Sequence, residues 1–240
     1  MQRLLYVQSP WGRMRMGVYL RLKRLLWLTV VRGARVIKRT LDIIASCILL
    51  VFLTPVFAII SALVKLDGGP IFFRQVRVGL HGREFKMFKF RSMCVNAEAQ
   101  LQKLLQQNEK GQGVTFKIKN DPRITKIGRF IRKSSIDELP QFFNVLRGEM
   151  SLVGPRPALP RETALYSQED RRRLLVKPGV TCLWQVGERE GRLFEIGDRN
   201  QIDFDEQVAL DVRYIESQSV WRDLWLLAKT VPAVLLGKGM

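Results

Sequence analysis

The chain has 240 residues, a formal net charge of +18 and 47 % hydrophobic residues, which leaves room for one ordinary domain plus a membrane anchor. Its three cysteines, Cys47, Cys94 and Cys182, have no pairing or metal spacing and argue for a reducing cytoplasm rather than a disulfide scaffold. The single histidine, His81, excludes a multi-histidine metal site and lies in a Gly-Leu-His-Gly stretch that reads as a turn.

Residues 1–40 carry ten Lys or Arg and no Asp or Glu. Tyr19, Leu20, Leu22, Leu25, Leu26, Trp27 and Leu28 are interleaved with the charges. This mixture predicts an interfacial amphipathic helix on anionic phospholipids, with Trp11 and Trp27 at headgroup level. A basic arm could also bind nucleic acid, but the membrane-like run that follows disfavours that reading. No compact apolar core with a small-residue cleavage site precedes Leu41, so a cleaved signal peptide is not expected.

Residues 41–64 form a mostly apolar run of 24 residues, interrupted by Thr54-Pro55. A straight helix of that length would cross a bilayer. Basic residues flank both ends, Arg32, Arg35, Lys38 and Arg39 before and Lys65, Arg74, Arg77 and Arg83 after. Both ends therefore favour the cytoplasmic side. Pro55 lacks the amide hydrogen a helix needs, and the Thr54 hydroxyl can bond a freed carbonyl. The expectation is a helix–break–helix that dips into the membrane and returns; a kinked spanning helix is the alternative.

The run ends at a turn, Asp67-Gly68-Gly69-Pro70. Residues 71–78 and 84–90 alternate apolar and basic side chains and predict a β-hairpin. Residues 95–110 read as a helix, 111–115 as a loop, and 124–132 as a helix after Asp121-Pro122. Ser134-Ser135-Ile136-Asp137-Glu138 reads as a helix start, with serines to cap and carboxylates in the first turn. Leu139, Phe142, Phe143, Val145 and Leu146 would be its buried face. Three prolines and two glycines in 148–160 argue against regular structure there. Residues 162–175 read as a charged helix. Residues 180–186 are a short apolar run. Residues 204–236 read as helical, with Trp221, Leu224, Trp225 and Leu227 forming a stripe that is either core or membrane contact.

The chemistry concentrates at Asp137 and Glu138, adjacent carboxylates among Arg129, Arg132, Lys133, Arg147 and Arg156. Neighbours on a helix point about 100° apart, so the two are not a face-to-face acid pair. They could share a hard cation or split roles. An aspartate beside cations stays ionised, and an ionised carboxylate can be a nucleophile. Arg156 stands between Pro155 and Pro157, a stiff mount for gripping phosphate. Lys89 and Arg91 alternate with Phe88 and Phe90 and could face one side of a strand. No glycine-rich nucleotide loop is present. The pieces suggest a phosphorylated substrate met at a membrane surface.

Several ordered motifs carry a resemblance. They are Lys38-Arg39-Thr40-Leu41-Asp42, Phe73-x-Gln75-x-Arg77-x-Gly79, Phe88-Lys89-Phe90-Arg91-Ser92-Met93, Asp121-Pro122-Arg123-Ile124-Thr125 and Asp137-Glu138-Leu139-Pro140-Gln141. Then come residues 144–157 (NVLRGEMSLVGPRP), Lys177-Pro178-Gly179-Val180-Thr181 and Leu183-Trp184-Gln185-Val186. With these the chain resembles the monotopic phosphoglycosyl transferases, the bacterial polyprenyl-phosphate sugar-1-phosphate transferases. The resemblance implies an α+β, mostly helical fold with a re-entrant membrane helix over 41–66 broken near Pro55 and a compact cytoplasmic catalytic domain with interfacial helices over 67–240. The basic membrane-surface segment over 1–40 is read from composition and is not explained by the family pattern. It implies transfer of sugar-1-phosphate from a UDP-sugar to undecaprenyl phosphate with release of UMP, at the cytoplasmic face of the bacterial inner membrane. It implies Mg²⁺, Asp137 as nucleophile and Glu138 as partner acid and metal holder. Arg132 and Arg156 match phosphate-binding positions, and Lys89 and Arg91 fall in a signature strand beside the site. A homodimer is compatible with the family. Cys182 and the loop 187–191 depart from its pattern, in the part where sugar preference is expected to reside. A silent membrane adaptor of a glycan-assembly complex is the alternative function.

Overall fold

The computed structural model describes residues 10–97, 99–100, 121–186, 188–189, 192–193 and 202–235. The helix expected over 95–110 and the loop over 111–115 fall largely outside these residues, as does most of 187–191. The chain divides into two units, Met1–Leu41 and Asp42–Met240. The first unit is helical from Pro10 onward, in helix α1 (Pro10–Phe52). Leucine, arginine and lysine, all good helix formers, dominate it. Trp11, Tyr19, Leu20, Leu22, Leu25, Leu26 and Trp27 are all exposed, among exposed arginines.

The second unit begins with the apolar end of α1. That helix stops at Phe52, and α2 (Thr54–Leu66) starts after Leu53. Pro55 supplies no amide hydrogen, and the Thr54 hydroxyl donates to Leu50 O at 2.9 Å. The two helices bend by 62° at this break. Among the described residues no single helix is long and apolar enough to cross a membrane, though the bent pair qualifies by length and composition.

The hairpin forms as expected. Strand β1 (Phe72–Val78) pairs antiparallel with β2 (Glu84–Phe90), from Phe72 opposite Phe90 to Val78 opposite Glu84. His81 and Gly82 turn it with positive φ of 56° and 77°. Helix α3 (Lys126–Lys133) follows Asp121-Pro122, capped by Thr125 Oγ1 accepting from Gly128 N at 2.9 Å. Gly128 is required there: a Cβ would lie 1.9 Å from Ser92 O.

Three readings need correction. Asp137 and Glu138 are not in a first α-turn; they form a 3₁₀ turn, Ile136–Glu138, and helix α4 (Gln141–Arg147) starts only after Pro140. Neither serine caps it. Ser134 Oγ donates back to Phe130 O at 3.0 Å, closing α3, and Ser135 adopts the left-handed conformation. Residues 148–160 are not wholly irregular, because β3 (Ser151–Val153) pairs in parallel with β4 (Gly179–Thr181). Gly154 and Gly179 permit that close approach; a Cβ on Gly179 would meet Gly154 N at 2.1 Å. Residues 162–175 hold only the end of a short helix α5 (Pro160–Thr163) and a 3₁₀ stretch, Asp170–Leu175.

A small hairpin, β5 (Glu188–Arg189) with β6 (Arg192–Leu193), precedes α6 (Phe204–Glu216) and α7 (Val220–Leu235). The chain is thus mostly helical with small two-stranded sheets, an α+β fold. Its main core joins Met87, Phe142, Val145, Met150, Leu152, Leu183 and Tyr214, with Leu49 and Leu50 of α1 and Leu53 at the break packed against it. Of the α4 face, Phe142 and Val145 are buried but Phe143 is exposed. A second cluster joins Ile60 and Val64 of α2 to Phe90 and Ile131. Asp42 Oδ1 accepts from Leu152 N at 3.1 Å, tying α1 to β3. On α7, Leu226 is buried and Leu227 packs on the core, whereas Trp221 (81 % exposed), Leu224 and Trp225 face outward.

Candidate active site

The 3₁₀ turn places its two carboxylates differently. Successive 3₁₀ side chains diverge by about 120°, and Asp137 is 3 % exposed while Glu138 reaches a cleft. That cleft is lined by Arg77, Glu138, Gln141, Arg156, Pro157 and Gly179 among others.

The cations come from three elements. Lys89 extends from β2, with Nζ 2.6 Å from Glu138 Oε1. Arg156, on the proline-flanked loop after β3, places Nη2 3.4 Å from the same oxygen. Arg132, in the last turn of α3, donates from Nε to Ser92 Oγ at 3.0 Å and is held in the field of Asp137. Sequence reasoning missed a fourth, Arg77. The hairpin register puts Phe73, Gln75 and Arg77 on the same face as Lys89 and Met87. The signal was available in the Gln75-x-Arg77 spacing, two positions apart on a strand.

Arg91 is not brought to the carboxylates. It lies just beyond β2, and its guanidinium donates to Val64 O at 2.8 Å and to Gly68 O. It satisfies the carbonyl end of α2 instead. Arg129 and Lys133 remain exposed, and Arg147 lies over the Phe88 ring at 4.8 Å.

Burial and charge push the two carboxyls apart. Burial raises Asp137 to about 6, opposed by Lys89 and reinforced by the charge of Glu138. Burial also acts on Glu138, but Lys89 and then Arg156 outweigh it and hold that carboxyl down at about 2. Lys89 itself is lowered, burial outweighing the attraction of Glu138. Glu138 is therefore the fixed anion and Asp137 the group whose charge changes near neutrality. Such separation of neighbouring carboxyls is a mark of a reactive site.

Among the described residues no three His, Cys, Asp or Glu cluster as a metal cage. Two adjacent carboxylates are nonetheless a donor set that suits Mg²⁺, which binds through one or two carboxylates and completes its shell with water and substrate phosphates.

The bacterial sugar transferase profile matches residues 33–237. The chain belongs to the bacterial sugar transferase family. It is 48 % identical over 202 residues to the galactosyl transferase CpsE of Streptococcus agalactiae, covering 84 % of this chain and 43 % of that one. It is 43 % identical over 211 residues to the undecaprenyl-phosphate galactose phosphotransferase of Salmonella typhimurium, covering 87 % of this chain and 42 % of that one. It is 39 % identical over 206 residues to the exopolysaccharide production protein ExoY of Rhizobium meliloti, covering 84 % and 87 %. The chain thus spans about two-fifths of the first two relatives and most of the third. Every site residue named above lies inside the segment matched by the family.

Proposed function

We propose that the chain is a phosphoglycosyl transferase that moves sugar-1-phosphate from a UDP-sugar to undecaprenyl phosphate and releases UMP. The observation that carries this reading is one buried aspartate of raised pKa beside a glutamate held ionised by Lys89 and Arg156. Relatives named for galactose and glucose transfer to undecaprenyl phosphate support the reaction class.

In the mechanism we propose, an oxygen of the Asp137 carboxylate attacks the phosphorus bonded to the sugar. An O–P bond forms as the P–O bond to UMP breaks, and the electron pair leaves with UMP. An oxygen of the lipid phosphate then attacks the same phosphorus, and the Asp137 O–P bond breaks, restoring the carboxylate. No proton transfer is needed, because every phosphate oxygen involved is already ionised. Arg156 and Arg132 offset charge on the transferred group. Lys89 keeps Glu138 ionised and in place. Mg²⁺ held by Asp137, Glu138 and the diphosphate would neutralise phosphate oxygens and stabilise the leaving UMP.

The site would work at the cytoplasmic face of the bacterial inner membrane. The basic flanks and the 62° bend of α1 against α2 support a re-entrant anchor, and the outward Trp221 and Trp225 support an interfacial α7. Such a placement lets a soluble UDP-sugar meet a lipid phosphate. The test is UMP release by detergent- or nanodisc-held protein with Mg²⁺ and undecaprenyl phosphate, over a panel led by UDP-galactose and UDP-glucose. Release with one donor, lost in Asp137→Asn, together with a phosphosugar adduct on the Asp137 peptide, is expected. Folded protein that turns over no donor would return the chain to the silent-adaptor reading.

A further inference from the structure

Arg156 owes its place to three hydrogen bonds around it. Gly179 N donates to Pro155 O at 2.9 Å, Val78 N donates to Ala158 O at 2.9 Å, and Arg77 Nη1 donates to Pro157 O at 3.0 Å. Two are backbone bonds. The third hangs on one side chain, and it falls on the residue next to Arg156. The plane of that guanidinium is fixed in turn, because Nη2 donates to Gln75 Oε1 at 2.7 Å, two positions back on the same strand face.

A positive group is an unfavourable choice for a simple tie here. Burial and then the like charge of Arg156 lower the pKa of Arg77 to about 10. Glu162 and Glu138 offset part of that repulsion. Arg77 Nε is buried without a hydrogen-bond partner. A cation that lines the same cleft as Glu138 and Arg156, at this electrostatic cost, serves the site as well as the loop.

We infer that Arg77 is a positioning residue: its bond to Pro157 O, oriented by Gln75, sets the seat from which Arg156 meets Glu138 and the donor phosphate. The inference rests on the function proposed above and adds a residue to it.

The experiment is a double-mutant cycle of Arg77→Met with Arg156→Met, read as UMP release, with hydrogen exchange measured alongside. Arg77→Met is expected to lower kcat/KM for the UDP-sugar by about 10- to 100-fold, the usual result of displacing a charge-stabilising group by a fraction of an ångström. Arg77→Lys recovers part of that loss, because an ammonium can still bond Pro157 O but lacks the fork that Gln75 orients. Gln75→Ala gives a smaller loss of the same kind while leaving the charge. In the Arg156→Met background, Arg77→Met is expected to cost less than about twofold more, since both act through one group. The amides of Val78 and Gly179 exchange faster in Arg77→Met. Additive losses across the cycle, or unchanged exchange at Val78 and Gly179 in a folded Arg77→Met protein, overturn the inference. If the unmutated protein releases no UMP, the functional reading fails by itself, and exchange at those amides still decides whether Arg77 holds the loop.

Discussion

Lys89 Nζ lies 2.6 Å from Glu138 Oε1, with the two side chains 12 % and 16 % exposed. One hydrogen-bonded ion pair thus joins the hairpin to the carboxylate turn. Removing Lys89 leaves the Glu138 charge in a poorly solvated place, with Arg156 at 3.4 Å and the field of Arg77 to answer it. Lys89→Met is expected to lower stability by roughly 2–3 kcal/mol, and Lys89→Met with Glu138→Gln by less than that. The pH dependence has a definite sign. Glu138 is held at about 2, below its ordinary 4.5, so its contribution is full above pH 4.5 and is lost as pH falls towards 2. Thermal unfolding in micelles between pH 3 and 7 should show a shallower acid loss in Lys89→Met; an unchanged slope would argue against the pair.

Asp137 titrates the other way. With its carboxyl raised to about 6, it is increasingly protonated below that pH, and a protonated carboxyl is a poor nucleophile. The kcat/KM for the UDP-sugar should therefore rise about tenfold per pH unit on the acid side and level off above pH 6. The midpoint belongs to the coupled Asp137–Glu138 pair rather than to one residue. Linkage makes ionisation of Asp137 cost stability as pH rises from 3.8 through about 6, so the protein should lose stability over the range in which the proposed activity rises. A rate profile flat from pH 5 to 8, with chemistry limiting, would sink this assignment.

The hairpin, the break at Leu53 and the α+β class were legible because each rests on local signals: alternation, a proline inside an apolar run, turn residues. The nearness of Lys89, Arg132 and Arg156 to the carboxylates was suggested by charge and motif order; the fold pairs Lys89 and Arg156 with Glu138 and holds Arg132 in the field of Asp137. Arg91 lies away from the carboxylates, because alternation on a strand assumes the strand continues. β2 ends at Phe90, and the chain turns Arg91 towards the end of α2. The capping serines failed for a related reason. Pro140 stands between them and α4, so a 3₁₀ turn intervenes and Ser134 closes the helix before. The β3–β4 pair could not be read locally, since its partners lie 28 positions apart and depend on Gly154 and Gly179 touching. Arg77 was hidden by its ordinary appearance as one more basic residue near a membrane.

Asn144 is fully buried and extends the edge of β2 from a helix. Its Nδ2 donates to Lys86 O at 2.8 Å and to Glu149 Oε2 at 2.6 Å, and its Oδ1 accepts from Phe88 N at 2.9 Å. Asn144→Ala leaves a strand amide and a carbonyl without partners and should cost about 2–4 kcal/mol. Asn144→Asp keeps the acceptor for Phe88 N, loses both donated bonds and faces Glu149, so it should be at least as harmful. Since Lys89 follows Phe88 directly, UMP release should fall with stability in both variants. Thermal unfolding that leaves Asn144→Ala within 1 °C of the unmutated protein would remove this lock.

Arg91 separates support of the fold from chemistry at the site. It is buried, and its guanidinium reaches Val64 O, a carbonyl in the last turn of α2, and Gly68 O in the turn that follows. Arg91→Met removes those donors and a charge that acts on the end of the apolar helix, where a cation is favoured by the helix dipole. A stability loss of about 2 kcal/mol is expected. Arg91→Lys should fall between, since one ammonium cannot reach both carbonyls with the fixed geometry of a guanidinium. Activity discriminates between the two roles. If Arg91 gripped phosphate, its loss would raise the KM for the UDP-sugar and lower kcat. Because it faces α2, the folded fraction of Arg91→Met should keep the donor KM within about twofold of the unmutated protein, a change too small for a lost charged contact to phosphate. A tenfold rise in KM at full folding would return Arg91 to the phosphate-binding set and mean that the end of β2 rearranges when the donor binds.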